Sequence, residues 1–91
     1  NNGRVVLSGE LDHHNAAIIR EEVDRELDGS VKLLTLDMSG ITFMDSSGIG
    51  VVLGRYRRMS ESGGKLRMGG MSIYAEKILR MAGVLALLER K

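Results

Sequence analysis

The chain has 91 residues and nearly balanced charge, with 13 Lys and Arg against 12 Asp and Glu, which gives a net charge of +1. This balance argues against a partner such as nucleic acid or an anionic membrane, and 3% aromatic residues are too few for base stacking. The lack of Cys excludes disulfides and thiolate metal sites and favours a reducing compartment. With no apolar run near the ~18 residues of a membrane span and no basic-then-apolar leader, we expect one soluble, cytoplasmic domain over residues 1–91.

The first predicted element is a short strand. Residues 4–8 form a β-branched run that Gly9 ends, as in a buried strand. Residues 10–15 are polar and predict a loop, in which Asp12 and Asn15 are candidate caps for the helix that follows.

A helix and a second strand follow this loop. Residues 16–27 are amphipathic, with an inward face made of Ala16, Ile19, Val23 and Leu27. Residues 28–30 end this helix, and residues 31–38 return to a strand pattern. The leucines of that strand, at Leu33, Leu34 and Leu36, predict burial on both faces and hence a central position in a sheet.

The middle of the chain predicts a turn and then a second helix. Ser39-Gly40 is the turn, and residues 47–62 carry a helical apolar stripe made of Ile49, Val52, Leu53, Tyr56 and Met59. Gly50 and Gly54 lie one helical turn apart, and because interior glycines cost about 1 kcal/mol each, they predict close approach of a neighbouring element. The arginines of this helix, Arg55, Arg57 and Arg58, fit either a solvated rim or a partner contact.

The last third predicts a strand, a helix and a strand. Residues 65–68 form the first, and Ser72 caps a helix that reaches Met81 with Ala75, Ile78, Leu79 and Ala82 inward. Residues 84–88 predict a final strand, and residues 89–91 an exposed end. This alternation requires crossover connections, so it predicts an α/β fold in which helices pack on a small mixed, partly parallel sheet.

The stretch at residues 41–50 is the strongest candidate for a functional site. An apolar run breaks there into Asp45-Ser46-Ser47-Gly48 and then becomes helix-periodic. Asp and Ser are helix-capping residues, so one interpretation is a plain N-cap with glycines for close packing. The other is a phosphoacceptor serine, because a phosphate would meet free N–H groups and the positive end of the helix dipole, although Asp45 would repel it.

Catalytic and metal sites have weaker support. His13 and His14 are adjacent, so their side chains diverge, and they lack the spacing of a metal site; we expect them to shape a loop. A Ser-His-Asp set could combine Ser46 with either histidine and with Asp12 or Asp37. Asp-Ser-Ser-Gly is not a nucleophile elbow, however, and no phosphate-binding loop of the nucleotide triphosphatases is present. We therefore expect a protein without catalytic residues, metal or cofactor.

Three segments in this order resemble the STAS domain family, within it the sporulation anti-anti-sigma factors: Ser8-Gly9-Glu10-Leu11-Asp12-His13-His14-Asn15-Ala16, residues 42–56 with Phe-Met-Asp-Ser-Ser-Gly, and Met81-Ala82-Gly83-Val84. The resemblance covers nearly the whole chain. It implies a STAS-like fold that lacks the family's first strand, before residues 4–8, and its last helix, after residues 86–89.

The resemblance also implies a function, that of an anti-sigma factor antagonist. Such a protein binds an anti-sigma factor that is also a serine kinase, and so frees a sigma factor. The kinase switches the antagonist off by phosphorylating the first Ser of the motif, here Ser46, and a PP2C-type phosphatase restores it. The partner-binding residues expected on this basis are Asp12, His13, His14, Asp45, Ser46, Ser47, Gly48, Ile49 and Arg55. The alternative is a STAS scaffold of another stress-signalling assembly.

Overall fold

The computed structural model describes residues 1–89, in which strands and helices alternate as far as α3 and a further helix follows. In chain order the elements are β1 (Asn2–Leu11), α1 (Ala16–Asp24), β2 (Leu33–Met44), α2 (Ser46–Glu61), β3 (Lys65–Gly69), α3 (Ile73–Met81) and α4 (Val84–Glu89). The strands lie side by side in the order β1-β2-β3, and both pairs are parallel. The predicted α/β class and the central position of the second strand are therefore confirmed, and the three described strands form a parallel sheet.

The hydrophobic core lies on one face of this sheet. Leu34, Leu36 and Met38 of β2 are buried, whereas Leu33 and Thr35, which alternate with them, are half-exposed. The prediction that β2 is buried on both faces was therefore wrong. The strand order β1-β2-β3 advances in one direction, so right-handed crossovers through α1 and α2 place both helices on the same side of the sheet. The opposite face of the sheet therefore stays open. The two helices also contact each other across the core.

The second strand is longer than its sequence pattern predicts. Ser39-Gly40 is not a turn, because β2 continues through it to Met44 and stays paired with β1 across two shifts of register. A Cβ at Gly40 would lie 2.8 Å from the Leu7 carbonyl oxygen, so the missing side chain lets β1 approach closely. Gly9 likewise marks a register irregularity within β1 and does not end the strand.

The helices start close to where their caps predict. Ser72 accepts a hydrogen bond from the Ala75 amide at 3.0 Å and caps α3. Helix α1 ends at Asp24, earlier than predicted, yet Leu27 stays buried because the next turns continue through a hydrogen bond from its amide to the Asp24 carbonyl. No helix within residues 1–89 is long and apolar enough to cross a bilayer.

The predicted final strand, residues 84–88, is instead the helix α4. Val84 and Leu85 are buried in the same core as Leu79 of α3, because the chain folds back after α3 and packs this run against it. A short apolar run does not distinguish a strand from a buried helix by periodicity, which explains the error. Of the predicted exposed end, Arg90 and Lys91 lie outside the described residues.

Candidate functional site at the carboxyl edge of the sheet

The predicted partner-binding residues other than Arg55 follow two neighbouring strands and lie at one edge of the sheet. Residues 12–15 follow β1 and residues 45–48 follow β2, and the carboxyl ends of parallel strands lie at the same edge. Solvent exposure differs within the set: His13, His14 and Ser46 are exposed, Asp12, Asp45, Ser47 and Ile49 are half-buried, and Gly48 and Arg55 are buried.

Asp45 joins the two segments that follow β1 and β2. Its extended backbone precedes α2, and its Oδ1 accepts a hydrogen bond from the Ser47 amide at 2.8 Å, which confirms the predicted N-cap. Its Oδ2 accepts from the His13 amide at 3.2 Å. The Asp45 amide in turn donates to the Leu11 carbonyl at 3.3 Å. One residue therefore fixes both the start of α2 and the loop of residues 12–15, which we call the histidine loop.

Ser46 is the first residue of α2 and is exposed to solvent. Because Ser46 is exposed, a group attached to its Oγ would extend into solvent. The partial positive charge of a helix N-terminus favours an anion at this position. The neighbouring Asp45 carboxylate would repel an anion there, so the two effects oppose each other at Ser46.

Gly48 lets the first turn of α2 pack closely against the ends of β1 and β2. A Cβ on this buried residue would lie 2.5 Å from Met44 Cγ and 2.9 Å from Leu11 Cγ. Gly50 and Gly54 differ, because a Cβ built at either position would meet no described atom within 4 Å apart from its chain neighbours and the backbone of its own helix. The predicted close approach at Gly50 and Gly54 was therefore wrong within this fold, and Gly48 is the glycine that packing requires.

The loop after β1 is ordered by Asp12. Its Oδ1 accepts from the His14 amide at 3.1 Å, and from both the amide and the side-chain nitrogen of Asn15 at 3.0 Å. Asn15 is the N-cap residue of α1, but its side chain makes no capping bond. His13 and His14 lie edge to face, with ring centroids 5.5 Å apart.

Within residues 1–89, the side chains do not come together as a metal site or as a Ser-His-Asp catalytic set. No group of three or more His, Asp or Glu side chains there could hold a metal ion. The hydrogen bonds of His13 and His14 among these residues come from their backbone amides and go to Asp45 and Asp12, not to the Ser46 hydroxyl. Asp37 forms an ion pair with Arg4 instead, and its hydrogen bonds with Ser39, followed by the Arg4 charge, lower its pKa.

Arg55 lies away from the other predicted site residues. It follows Ser46 by nine positions, which is about 13 Å along a helix axis. The solvated rim predicted for it was wrong, because Arg55 is only 8% exposed and its Nε lies 3.1 Å from Asp24 Oδ1 of α1. Burial lowers the pKa of this guanidinium and Asp24 opposes that effect. Arg57 is exposed, as a rim requires, whereas Arg58 is exposed but donates to the Leu27 carbonyl at 3.1 Å and lies 3.4 Å from Asp24 Oδ1.

Tyr74 contacts the candidate site, and the sequence pattern did not reveal this contact. Its hydroxyl lies 3.3 Å from the carbonyl oxygen of Met44, directly before Asp45. The available signal was an aromatic residue two positions after the Ser72 cap and outside the inward stripe of α3.

Comparison of the sequence with known proteins identifies the family of this chain. Residues 2–90 match the STAS domain. The chain belongs to the STAS domain family. This STAS domain is 36% identical over 81 residues to the anti-sigma F factor antagonist of Paenibacillus polymyxa, an alignment that covers 88% of the chain and 69% of that relative. The resemblance drawn from its motifs is thereby confirmed.

Solved structures agree with this assignment. The unphosphorylated anti-sigma factor antagonist SpoIIAA is 32% identical, with a TM-score of 0.76, and the match covers 92% of the STAS domain described here and 76% of that chain. The Bacillus cell fate determinant SpoIIAA in its phosphorylated form is also 32% identical, with a TM-score of 0.70 and coverage of 94% and 80%. The fold described above is thus the fold of SpoIIAA.

Proposed function

We propose that this STAS domain is an anti-sigma factor antagonist that binds a serine-kinase anti-sigma factor and so frees a sigma factor. It acts by binding and not as an enzyme. The observation that carries the proposal is the exposed Ser46 at the first position of α2, next to the histidine loop, in a chain 36% identical to an anti-sigma F factor antagonist. The partner-binding surface is formed by residues 12–15 and the first turn of α2.

Phosphorylation of Ser46 switches this binding off, and a PP2C-type phosphatase restores it. Support comes from the solvent-exposed hydroxyl and from a relative whose structure is that of a phosphorylated form. The kinase is the anti-sigma factor itself, so binding and inactivation use the same surface. Such a circuit belongs to sporulation control in the cytoplasm.

The mechanism is local repulsion and desolvation. A phosphate adds a charge of roughly −1.5 to −2 at pH 7 beside Asp45, which already directs both carboxylate oxygens at backbone amides. In the free protein the exposed phosphate stays hydrated and is favoured by the helix N-terminus, so the fold changes little. In the complex it would be buried without a cation, and the expected loss of about 3 kcal/mol corresponds to roughly a hundredfold in affinity.

The test is a binding titration with the anti-sigma F factor of Paenibacillus polymyxa, without ATP so that the parent stays unmodified. We expect Ser46→Ala to bind like the parent, and Ser46→Asp and the phosphorylated parent to bind at least a hundredfold more weakly with unchanged circular dichroism. Ser47→Ala is the matched control, because it leaves Ser46 available. Incubation with ATP followed by phosphosite mapping should place the phosphate on Ser46.

Equal affinity of the parent and its phosphorylated form, or phosphate on Ser47, would contradict the switch. A STAS scaffold of another stress-signalling assembly would bind no kinase-type anti-sigma factor. A pull-down with the unphosphorylated chain distinguishes that alternative, because our proposal requires such a kinase in the eluate.

A further inference from the structure

The peptide group between Met44 and Asp45 is held from both sides. Its N–H donates to the Leu11 carbonyl of β1. In a trans peptide the carbonyl points the opposite way, so Met44 O faces the side of β2 on which β3 pairs. Strand β3 ends at Gly69, opposite Asp37, and does not reach that far. The Tyr74 hydroxyl takes the place of a β3 amide and donates a hydrogen bond to Met44 O at 3.3 Å.

This hydrogen bond brings the start of α3 to the phosphoacceptor. Tyr74 reaches a carbonyl two residues before Ser46, while 53% of its surface stays exposed. Ile73, its neighbour and the first residue of α3, is 86% exposed. Two large and mostly exposed apolar side chains therefore begin α3, the helix that the Tyr74 hydrogen bond connects to the segment before Ser46, and the predicted partner surface did not include this helix.

Exposed apolar side chains concentrate at this edge of the sheet. The large ones among the described residues are Val6, Ile18, Phe43, Ile73, Tyr74 and Met81. Four of the six lie at the end of β2 or at the start of α1 or α3, which is the carboxyl edge where Ser46 lies. Single exposed apolar residues are ordinary, whereas interaction surfaces are richer in them, so their number at this edge favours a binding surface there.

We propose that Ile73 and Tyr74 are the apolar anchor of the surface that binds the anti-sigma factor, whose matching feature is an apolar recess beside the contact with Ser46. This inference rests on the proposed function and adds a third element, α3, to the interface. Its basis is continuity, because the Tyr74 hydrogen bond joins α3 directly to the phosphoacceptor segment. That bond also fixes the ring before binding, which lowers the entropy cost of using a Tyr as a hot spot.

The test measures affinity for the anti-sigma F factor of Paenibacillus polymyxa, without ATP, for the parent and four variants. Ile73→Ala and Tyr74→Ala should each weaken binding about tenfold or more, as expected for anchor residues. Tyr74→Phe keeps the ring and loses only the bond to Met44, so it should lose less than Tyr74→Ala. Met81→Ala is the matched control, because Met81 is 78% exposed at the opposite end of the same helix. It should bind like the parent.

The outcomes separate the two proposals. A parent that binds while Ile73→Ala and Tyr74→Ala bind equally well overturns the anchor and leaves the proposed function standing. Equal losses for Tyr74→Phe and Tyr74→Ala also overturn it, because the ring would then contribute nothing. A parent that does not bind at all overturns both. Ile73 is almost fully exposed, so a loss in Ile73→Ala does not arise from unfolding.

A second measurement locates the contact directly. The chain contains no Cys, so Ile73→Cys and Met81→Cys each create one labelling site for an environment-sensitive fluorophore. On addition of the same anti-sigma factor, the label at 73 should shift to the blue and become protected from quencher, while the label at 81 should not. Equal responses at both positions, or none at 73, would overturn the proposal.

Discussion

At the scale of single residues, Asp45 links the start of α2 to the loop that follows β1. One carboxylate oxygen caps α2 through Ser47, and the other holds the His13 amide. We expect Asp45→Ala to lower the free energy of unfolding by about 1–2 kcal/mol, since both amides lose an acceptor. Asp45→Asn should cost less, because its amide oxygen can still cap the helix. Urea unfolding measures the stabilities, and hydrogen exchange of the His13 amide reports the second bond.

Ser72→Ala provides the control for this comparison. It removes the side-chain cap of α3, which accepts from the Ala75 amide, and should cost about 1 kcal/mol. Exchange of the His13 amide should not change in that variant, whereas it should accelerate in both Asp45 variants. Unchanged His13 exchange in Asp45→Ala would show that the carboxylate does not hold the loop.

At the scale of elements, the position of α2 depends on one glycine and not on its neighbours. Gly48→Ala would place a methyl group 2.5 Å from Met44 Cγ, so we expect a destabilisation of about 1–3 kcal/mol as the side chains or the helix shift. Gly50→Ala and Gly54→Ala meet open space among the described residues and should each stabilise by about 0.5–1 kcal/mol. Thermal and urea unfolding of the three variants gives the comparison. Similar effects at all three positions would contradict this account of how α2 is seated.

The sequence predicted elements well where local chemistry decides them. Asp45 and Ser72 placed the starts of α2 and α3, because a cap is a local interaction between a side chain and the next turn. The sequence pattern gave the wrong element at two places. At Ser39-Gly40, β2 continues because Gly40 lets β1 approach closely. At residues 84–88, packing on α3 selects a helix. Both errors concern tertiary contacts that a local pattern does not contain.

The same limit applies to the candidate site. The motifs predicted that Ser46 and the loop from Asp12 belong to one surface, and the parallel pairing of β1 and β2 does bring both to one edge of the sheet. Arg55 looked like its surface neighbours but is buried against Asp24, which is 31 positions earlier in the sequence. Tyr74 was missed because its partner, Met44 O, is a backbone atom 30 positions away. Such pairings depend on the packing of whole elements.

At the scale of the whole molecule, the sheet has an exposed edge. Within residues 1–89, β1 pairs with β2 on one side and with no strand on the other. Val6, at the middle of β1, is 62% exposed. An unpaired edge that carries an exposed β-branched residue is a template for pairing with another chain. The 91-residue chain should therefore self-associate through β1 as its concentration rises.

Sedimentation velocity over a concentration series tests this expectation. The parent should shift from monomer to a larger species, and Val6→Lys should suppress the shift, because a charged side chain on an edge strand disfavours further pairing. Lys at this position can also pair with Asp37, its register partner on β2, so the monomer should keep its stability. Met81→Lys adds the same charge at an exposed site on α3 and should associate like the parent. A parent that stays monomeric at every concentration, or equal suppression by Met81→Lys, would show that the β1 edge does not drive association.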